Sequence, residues 1–520
     1  MYRFLLACLA ALVCLPAADF DILIRNARVV DGTGNPWFRA NVGVRAGQIA
    51  AIGRLDGKTA DRVIDAAGRV LAPGFIDVHT HIEGTVEQIP RADNFLLDGV
   101  TSVITGNCGS SEVELGAWFK KLETLKIGPN MGSLIGHNSV RRTVMGTANR
   151  LATEDDLQRM RALVDKAMRE GAMGFSTGLI YVPGTYSNTE EVIALAVAAG
   201  KHGGVYASHM RDEGAKILDS IEEAVTVGKA AGVPVELSHF KIDNKSLWGS
   251  SIKSLGLVEQ YRRQGVDVAL DQYPYDRSST DLGMVVPSWA LADGTAAIRK
   301  RLADPATREK ITAEMEKNVN ALGHSDYSFA AIAAYAPDPS IDGKTISEVT
   351  LLKGRQPGVR GDIETVLELL DKGGAQMVYH SMGEEDVERI MRYPNTAFAS
   401  DSGIREYRSG RPHPRGYGTN ARVLALYVRE KGVLTLEDAI RRMTSLPART
   451  FNLADRGLIR PGMAADLVLF DPQKVQDKAT FADPHQYAEG FDVVVVNGQV
   501  VIDNGKFTSV RAGKVLRRQP

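Results

Sequence analysis

The chain has 520 residues, of which 44% are hydrophobic and 24% are charged, and its formal net charge is −1. This length and composition predict a globular protein with one large domain and one smaller domain. Because the chain has no excess of positive charge, we exclude the nucleic-acid-binding class and expect no nucleic-acid partner.

Residues 1–18 have the features of a secretory signal peptide. Arg3 precedes the apolar run 4–13, and Pro16 with the two following alanines offers small residues for cleavage. The run is too short to span a bilayer, and no other apolar run is long enough, so we expect no membrane span. We therefore expect a periplasmic or secreted protein. A buried N-terminal helix is the alternative.

The three cysteines are Cys8, Cys14 and Cys108. Cleavage of the signal peptide would leave only Cys108, which then has no partner for an internal disulfide. Cys108 is therefore a buried thiol, a nucleophile or a metal ligand.

Both ends of the chain are predicted to form β structure. Residues 19–72 contain short apolar strands separated by turns, and residues 446–520 have the same pattern, with Asn497-Gly498 and Asn504-Gly505 as turns. Neither segment alone provides enough strands for a good core. We expect the two to complete one small β-sandwich.

Residues 73–445 alternate strand candidates with helical patterns, which predicts a parallel sheet and, from their number, a barrel. The predicted fold is therefore α/β: a (β/α)8 TIM-like barrel with a small β-sandwich built from both chain ends. Nine strand candidates compete for eight places, and we expect one of 266–271, 377–380 and 396–400 to lie outside the barrel. Residues 281–375 fit no simple crossover, and we expect them to form an insertion over the active-site mouth.

Side chains that can bind a metal follow the predicted barrel strands. Two histidines in the apolar stretch 71–84 are two residues apart, so they project from one face of a strand. The carboxyl ends of barrel strands converge at one mouth, where we expect six ligands: His79, His81, Cys108, His209, His239 and Asp401. A thiolate with imidazoles suits zinc. Six ligands exceed one tetrahedral site, which indicates two linked positions.

The motifs around these ligands follow one known pattern. They are residues 74–81 (GFIDVHTH), 106–109 (GNCG), 174–184 (GFSTGLIYVPG), 206–211 (YASHMR), 238–241 (SHFK), 271–275 (DQYPY), 278–280 (SST), 400–403 (SDSG), 413–415 (HPR) and 462–470 (GMAADLVLF). From about residue 20 to its end, the chain resembles the amidohydrolase superfamily and, within it, the D-aminoacylase (N-acyl-D-amino-acid deacylase) branch. The cysteine motif is specific to that branch, because most relatives use a modified lysine or a glutamate at this place.

The resemblance implies two zinc positions. The tightly bound zinc is held by Cys108, His209 and His239. The second, weaker position is formed by His79, His81, Asp401 and the shared Cys108. Asp401 is also the implied general base, which takes a proton from the attacking water and passes it to the leaving amine.

The same pattern suggests residues that contact the substrate. Tyr181 is a candidate donor to the developing oxyanion, with packing beneath a Pro-Gly loop as the alternative. Arg415 matches the carboxylate-binding arginine of the family, since a guanidinium can grip a carboxylate with two hydrogen bonds; a surface salt bridge is the alternative. Lys241 and Ser279 match further polar contacts at that end, although Lys241 is also compatible with a solvated lysine. The implied substrate is a small N-acylated amino acid with a free carboxylate.

The resemblance thus implies a zinc-dependent hydrolase that cleaves N-acyl-D-amino acids to a carboxylate and a free D-amino acid. The preference for D substrates rests wholly on the resemblance. Dipeptides ending in a D-residue and cyclic amides of the hydantoin or dihydropyrimidine type remain alternatives. A non-catalytic metal-binding scaffold on the same fold is the alternative from another class. Asp401 argues against it, because a closed structural zinc site needs no spare carboxylate.

Overall fold

The computed structural model describes residues 18–518. The predicted signal peptide, except for Ala18, lies outside the described residues. These residues form a barrel, a layered sheet built from both chain ends, and an inserted α/β segment. Among them, no helix is both long enough and apolar enough to cross a membrane.

Eight parallel strand positions form the barrel. Their bounds are Phe75–Asp77, Val100–Thr105, Asn130–Ser133 continued by Ile135–Gly136, Gly174–Gly178, Val205–His209, Val235–Leu237, Val268–Gln272 and Thr396–Phe398. Each strand pairs in parallel with the next. A parallel bridge between Thr80 and Ser402 joins the last strand position to the first. The predicted (β/α)8 barrel is confirmed.

Helices follow most of the barrel strands, and the helix Glu154–Arg169 begins with a capping box. In Glu154–Arg169, the Thr153 side chain accepts a hydrogen bond from the Asp156 amide, and the Asp156 side chain accepts one from the Thr153 amide. The helices outside the insertion are Asp93–Leu96, Leu115–Leu125, His137–Met145, Glu154–Arg169, Thr189–Gly200, Ile217–Ala231, Ser251–Arg263, Glu384–Arg392, Arg415–Arg422, Val423–Glu430 (a π-helix), Leu436–Met443 and Ser445–Thr450. Short 3₁₀ turns cover Gly184–Tyr186 and Lys245–Leu247.

The two chain ends share one nine-stranded sheet that folds into two layers. Its strands are Phe20–Val29, Phe38–Arg45, Gln48–Gly53, Ala60–Asp65, Val70–Pro73, Leu467–Phe470, Phe491–Val496, Gln499–Asp503 and Lys506–Phe507. The long first strand pairs with Ala60–Asp65 through its first half and with Val70–Pro73 through its second, and Asn26 at φ 57° lies between them. Leu467–Phe470 pairs with Val70–Pro73 and so joins the two chain ends. The predicted β-sandwich built from both ends is confirmed.

The insertion is organised around a three-stranded antiparallel sheet, in which Gln376–His380 lies between Arg277–Asp281 and Ala330–Ala334. The candidate strand 377–380 therefore lies in this sheet and not in the barrel. The predicted insertion, 281–375, is the segment of chain between the strands 277–281 and 376–380, which pair with each other. Its helices are Thr295–Ala303, Pro305–Ala321, Ile346–Leu352 and Val359–Asp371, with 3₁₀ turns at Leu282–Val285, Ser288–Leu291 and Pro339–Ile341. These elements bury a separate apolar core.

Asn130 connects the barrel to the sandwich. It begins the third barrel strand, is fully buried, and donates through Nδ2 to the Thr101 carbonyl and to Asp466 Oδ2, each at 3.0 Å. Its Oδ1 accepts hydrogen bonds from Asn497 Nδ2 at 2.7 Å and from the Lys514 amide at 3.0 Å. One amide therefore satisfies polar groups of both the barrel and the C-terminal strands.

We expect Asn130→Ala to lower the free energy of unfolding by about 2–3 kcal/mol, because it removes the buried hydrogen bonds that Asn130 makes with Thr101, Asp466 and Asn497. Urea unfolding followed by circular dichroism and tryptophan fluorescence measures the change. The exposed Asn35→Ala serves as the control and should shift stability by no more than about 0.5 kcal/mol. A change in Asn130→Ala as small as the control's would show that the junction contributes little.

Candidate metal centre

The six predicted ligands lie together at the carboxyl ends of the barrel strands. His209 ends its strand, while the other five follow their strands within four residues. Five of the six are at least nine-tenths buried, and the side chain of His81 is about one-third exposed. The strand ends therefore deliver these side chains to one side of the barrel.

Cys108 is the centre of this cluster. Its Sγ lies 3.3 Å from His79 Nε2, 3.5 Å from His239 Nε2 and 3.6 Å from His209 Nδ1. The cluster contains three groups of three residues whose ligand atoms lie within 4.8 Å of one another. The first group is His79, His81 and Cys108, the second is Cys108, His209 and His239, and the third is His79, His239 and Asp401. Cys108 is the one residue common to the first two groups, and its Sγ is the atom that approaches the imidazoles of His79, His209 and His239.

Three of the ligands have a left-handed backbone. The φ angles are 51° at Cys108, 36° at His239 and 48° at Asp401. Such a conformation costs a non-glycine residue on the order of 1–3 kcal/mol and persists only where the surrounding structure imposes it. In each case the chain turns sharply just after a barrel strand, which directs the side chain inward.

Closure of the barrel brings Asp401 to the paired histidines. The Asp401 amide donates to the His79 carbonyl, and the His81 amide donates to the Ser402 carbonyl, both at 2.9 Å. Asp401 Oδ1 then lies 3.1 Å from His81 Nε2, and Oδ2 lies 2.9 Å from Arg415 Nη1. Burial opposes ionisation of this carboxyl, but Arg415 and His79 hold the pKa of Asp401 well below its ordinary value.

The charges of the site favour a thiolate beside a neutral phenol. Burial alone would raise the pKa of Cys108, but the imidazoles of His79 and His239 hold it well below its ordinary value. Burial and the nearby thiolate raise the pKa of Tyr181 well above its ordinary value. The Tyr181 hydroxyl accepts a hydrogen bond from Thr280 Oγ1 at 3.2 Å and keeps its own proton to donate.

Two carboxylates that the sequence analysis did not identify orient the imidazoles. Asp271 Oδ2 lies 2.9 Å from His79 Nδ1, and its Oδ1 accepts from the His239 amide at 2.9 Å. Glu213 Oε1 lies 3.1 Å from His239 Nδ1, and its Oε2 lies 3.5 Å from His209 Nε2. Such partners fix the ring orientation of metal-binding histidines. Asp271 stands at the end of a predicted strand, and Glu213 follows His209 by four residues, which are the signals available in the sequence.

Glu236 is a buried acid behind this layer. Burial raises the pKa of Glu236 well above its ordinary value, and the neighbouring Asp271 raises it further. Its Oε2 accepts a hydrogen bond from Ser238 Oγ at 2.9 Å. The raised pKa favours the protonated form of Glu236 beside Asp271, which in turn holds His79.

The predicted substrate contacts occupy different places. Arg415 is buried in the cavity wall and donates through Nη2 to the Ser279 carbonyl at 3.1 Å. Ser279 also lines the cavity, but its hydroxyl donates to the Met377 carbonyl at 2.8 Å. Lys241 Nζ lies 2.7 Å from Glu213 Oε2 and 2.7 Å from His239 Nδ1, so its ammonium supports the imidazole layer. The structure thus brings Arg415 and Ser279 to the cavity wall and places Lys241 against Glu213.

A cavity of about 980 Å³ opens above the cluster. Cys108, Tyr181 and Asp401 line its inner end. The insertion contributes an apolar part of its wall, comprising Met284, Val286, Pro287 and Leu291. This volume is in the range of sites for small molecules.

The donor set fits zinc. A thiolate together with imidazoles is the ligand chemistry that zinc prefers, and it is unsuited to hard cations such as magnesium. Cys108, His209 and His239 would hold one ion, and His79, His81 and Asp401 would form the neighbouring position around the shared thiolate.

Glu213→Gln is expected to weaken zinc binding by about 10- to 100-fold, because His239 and His209 lose the carboxylate that orients them. Competition with a chromogenic chelator measures the affinity. Glu223→Gln, which removes a nearby carboxylate paired with Arg211, is the matched control and should bind zinc as the unchanged protein does. Equal affinity in all three proteins would show that Glu213 does not support the metal.

The sequence of the chain matches a protein family and several characterised enzymes. The model of the amidohydrolase family matches residues 62–502. Over 96% of the chain, identity is 35% to D-aminoacylase and 34% to N-acyl-D-glutamate deacylase, both from Alcaligenes xylosoxydans xylosoxydans, covering 98% and 96% of those proteins.

Among solved structures, N-acyl-D-glutamate deacylase from Bordetella bronchiseptica was determined with zinc and a phosphonate inhibitor that mimics the tetrahedral intermediate. It superposes with a TM-score of 0.82 at 32% identity and covers 96% of this chain and 99% of its own. The resemblance seen in the motifs is therefore confirmed over the whole barrel and sandwich. The chain belongs to the amidohydrolase family and, within it, to the D-aminoacylase branch.

Proposed function

We propose that this protein is a zinc-dependent hydrolase that cleaves the amide bond of N-acyl-D-amino acids to a carboxylate and a free D-amino acid. The observation that carries the proposal is the joint position of the Cys108 cluster and the Asp401–Arg415 pair at the inner end of one cavity. The activities named for the relatives support the same reaction.

Zinc held by Cys108, His209 and His239 would polarise the scissile carbonyl and lower the pKa of water towards ~7. The protein groups around this position already have the protonation states that amide hydrolysis needs. Asp401 is ionised and accepts protons, whereas Tyr181 is neutral and donates one.

Asp401 acts as the general base. It takes a proton from water as the water oxygen bonds to the amide carbon, and it gives that proton to the nitrogen as the C–N bond breaks. Its Oδ2 is held by Arg415, while Oδ1 faces His81. Between these two steps the former carbonyl oxygen of the substrate carries negative charge, and Tyr181 donates a hydrogen bond to it. This hydrogen bond lowers the barrier because it acts where the charge develops.

The free carboxylate of the substrate binds at Arg415. This guanidinium lines the cavity directly beside Asp401, so an anion bound there places the adjacent amide nitrogen near the base. Arg415 Nε is buried and makes no hydrogen bond within residues 18–518, so this donor is unsatisfied in the protein alone. A substrate without a carboxylate lacks this anchor.

The experiment that tests the function is amine release from N-acetyl-D- and N-acetyl-L-amino acids, D-residue dipeptides and hydantoins. We expect turnover of N-acetyl-D-amino acids that exceeds turnover of the L forms by more than about 100-fold. Removal of zinc with a chelator should abolish it, and added zinc should restore it. Metal-dependent turnover of hydantoins without turnover of N-acetyl-D-amino acids would contradict the proposal.

Asp401→Asn should retain zinc at Cys108, His209 and His239 yet lose about 10²- to 10⁴-fold in kcat, because the amide accepts no proton from water. Metal analysis and initial rates on the same sample separate the two effects. The exposed Asp56→Asn is the control. Near-full activity of Asp401→Asn would refute its role as the base.

We also propose that the protein is exported to the periplasm or secreted, on the strength of the apolar run and small residues in 1–18. Intact-mass analysis after expression in a bacterium with both membranes tests this. Export predicts a periplasmic protein beginning near Asp19, whereas a cytoplasmic protein that retains residues 1–18 would contradict it.

A further inference from the structure

The wall of the active-site cavity carries an arginine that has no acidic partner. Arg405 lies four residues after Asp401 and lines the cavity. Its Nε and Nη2 both contact the hydroxyl oxygen of Ser402, at 3.0 Å and 2.7 Å. Within residues 18–518, no carboxylate forms an ion pair with this guanidinium. Ser402 supplies one neutral oxygen, which leaves the charge uncompensated.

The Arg405 side chain is partly buried in the cavity wall. It packs against the backbone of Gly416, where an added Cβ would lie 2.8 Å from Arg405 Nε and 2.6 Å from Ser402 Oγ. Burial and the charge of Arg415 lower the pKa of Arg405 to about 10, so it stays protonated at neutral pH. A partly buried cation without a counter-ion is less stable than one with a counter-ion, and an anionic ligand in the cavity would supply that counter-ion.

The acidic side chains of the cavity are engaged elsewhere. Asp401 pairs with Arg415, Glu314 accepts from Trp289 Nε1 at 2.9 Å, and Asp281 accepts from the Gly283 amide at 2.7 Å. Glu406 is the next residue after Arg405, but it is exposed. None of these four carboxylates forms an ion pair with Arg405 in the described part of the chain.

We propose that Arg405 binds a second carboxylate on the substrate, carried by the side chain of the amino acid, so that N-acyl-D-glutamate and N-acyl-D-aspartate are the preferred substrates. This inference rests on the proposed function. Arg405 packs on Gly416, directly next to Arg415. The side chain of the substrate is attached to the same Cα as the α-carboxylate that Arg415 binds, so an acidic side chain can reach Arg405. An anionic acyl group lies on the other side of the scissile bond.

The chain's overall similarity does not select the side chain. D-aminoacylase and N-acyl-D-glutamate deacylase are almost equally identical to it. The unpaired charge of Arg405 favours a substrate with an acidic side chain over one with an apolar side chain. A substrate with an apolar side chain would leave the Arg405 charge without a counter-ion in the cavity.

The test compares N-acetyl-D-glutamate with N-acetyl-D-glutamine, which have nearly the same shape and differ by one charge. We expect the unchanged protein to favour the glutamate substrate by about 100-fold in kcat/KM. Arg405→Gln should lower kcat/KM for N-acetyl-D-glutamate by about 100-fold, mainly through KM, and change that for N-acetyl-D-glutamine by less than about 3-fold. Arg405→Lys should recover part of the preference, since it keeps the charge.

Arg142→Gln is the matched control, because Arg142 lines the same cavity and donates to the Val182 carbonyl at 3.0 Å. This variant should keep the ratio between the two substrates. N-succinyl-D-leucine tests an anionic acyl group, and we expect Arg405→Gln to leave its kcat/KM within about 3-fold.

Equal losses on both acetyl substrates, no preference in the unchanged protein, or a selective loss on N-succinyl-D-leucine would overturn the proposal. If no N-acyl-D-amino acid is hydrolysed, the proposed function fails, and calorimetric titration with D-glutamate and D-glutamine still tests Arg405. Tighter binding of D-glutamate that disappears in Arg405→Gln supports the site, and equal binding of the two overturns it.

Discussion

The thiolate of Cys108 is the interaction on which the rest of the site depends. Three imidazole nitrogens lie within 3.6 Å of its sulfur, and the charges of His79 and His239 hold its pKa well below the ordinary value despite burial. The backbone at Cys108 is left-handed, which is an unfavourable conformation for a residue other than glycine. The surrounding structure holds Cys108 in this conformation, and its sulfur lies among the imidazoles. A buried anion of this kind is stable only with compensating positive charge, which makes the cluster a binding place for a soft divalent cation.

Layers behind the cluster keep the imidazoles in place. Asp271 holds His79, and Glu213 holds His209 and His239 while it neutralises Lys241. Burial opposes the charge of Glu213, but Lys241 and His239 lower the pKa of this carboxyl to about 2. Removal of one member would leave another buried charge unpaired, so we expect these residues to act as a unit.

Most of the site could be predicted from the sequence, because its ligands lie at or just after the ends of barrel strands. Each ligand follows an apolar run by no more than a few residues, and parallel strands of a barrel place such positions side by side. Glu213 and Arg405 escaped prediction because they lie in loops after the strands, where no periodicity specifies direction. Lys241 was matched to a substrate contact, but the strand before it ends at Leu237, the chain turns at His239, and the Lys241 ammonium lies against Glu213. The insertion's sheet joins 277–281 to 376–380, a pairing too distant for local patterns to reveal.

The claim that Cys108 is a zinc ligand is tested most directly by X-ray absorption at the zinc edge of the purified, zinc-loaded protein. If Cys108 binds zinc, we expect one sulfur scatterer at about 2.3 Å together with nitrogen or oxygen scatterers at about 2.0–2.1 Å. The sulfur contribution should be lost in Cys108→Ser. A spectrum of the unchanged protein that contains only nitrogen and oxygen scatterers would contradict it.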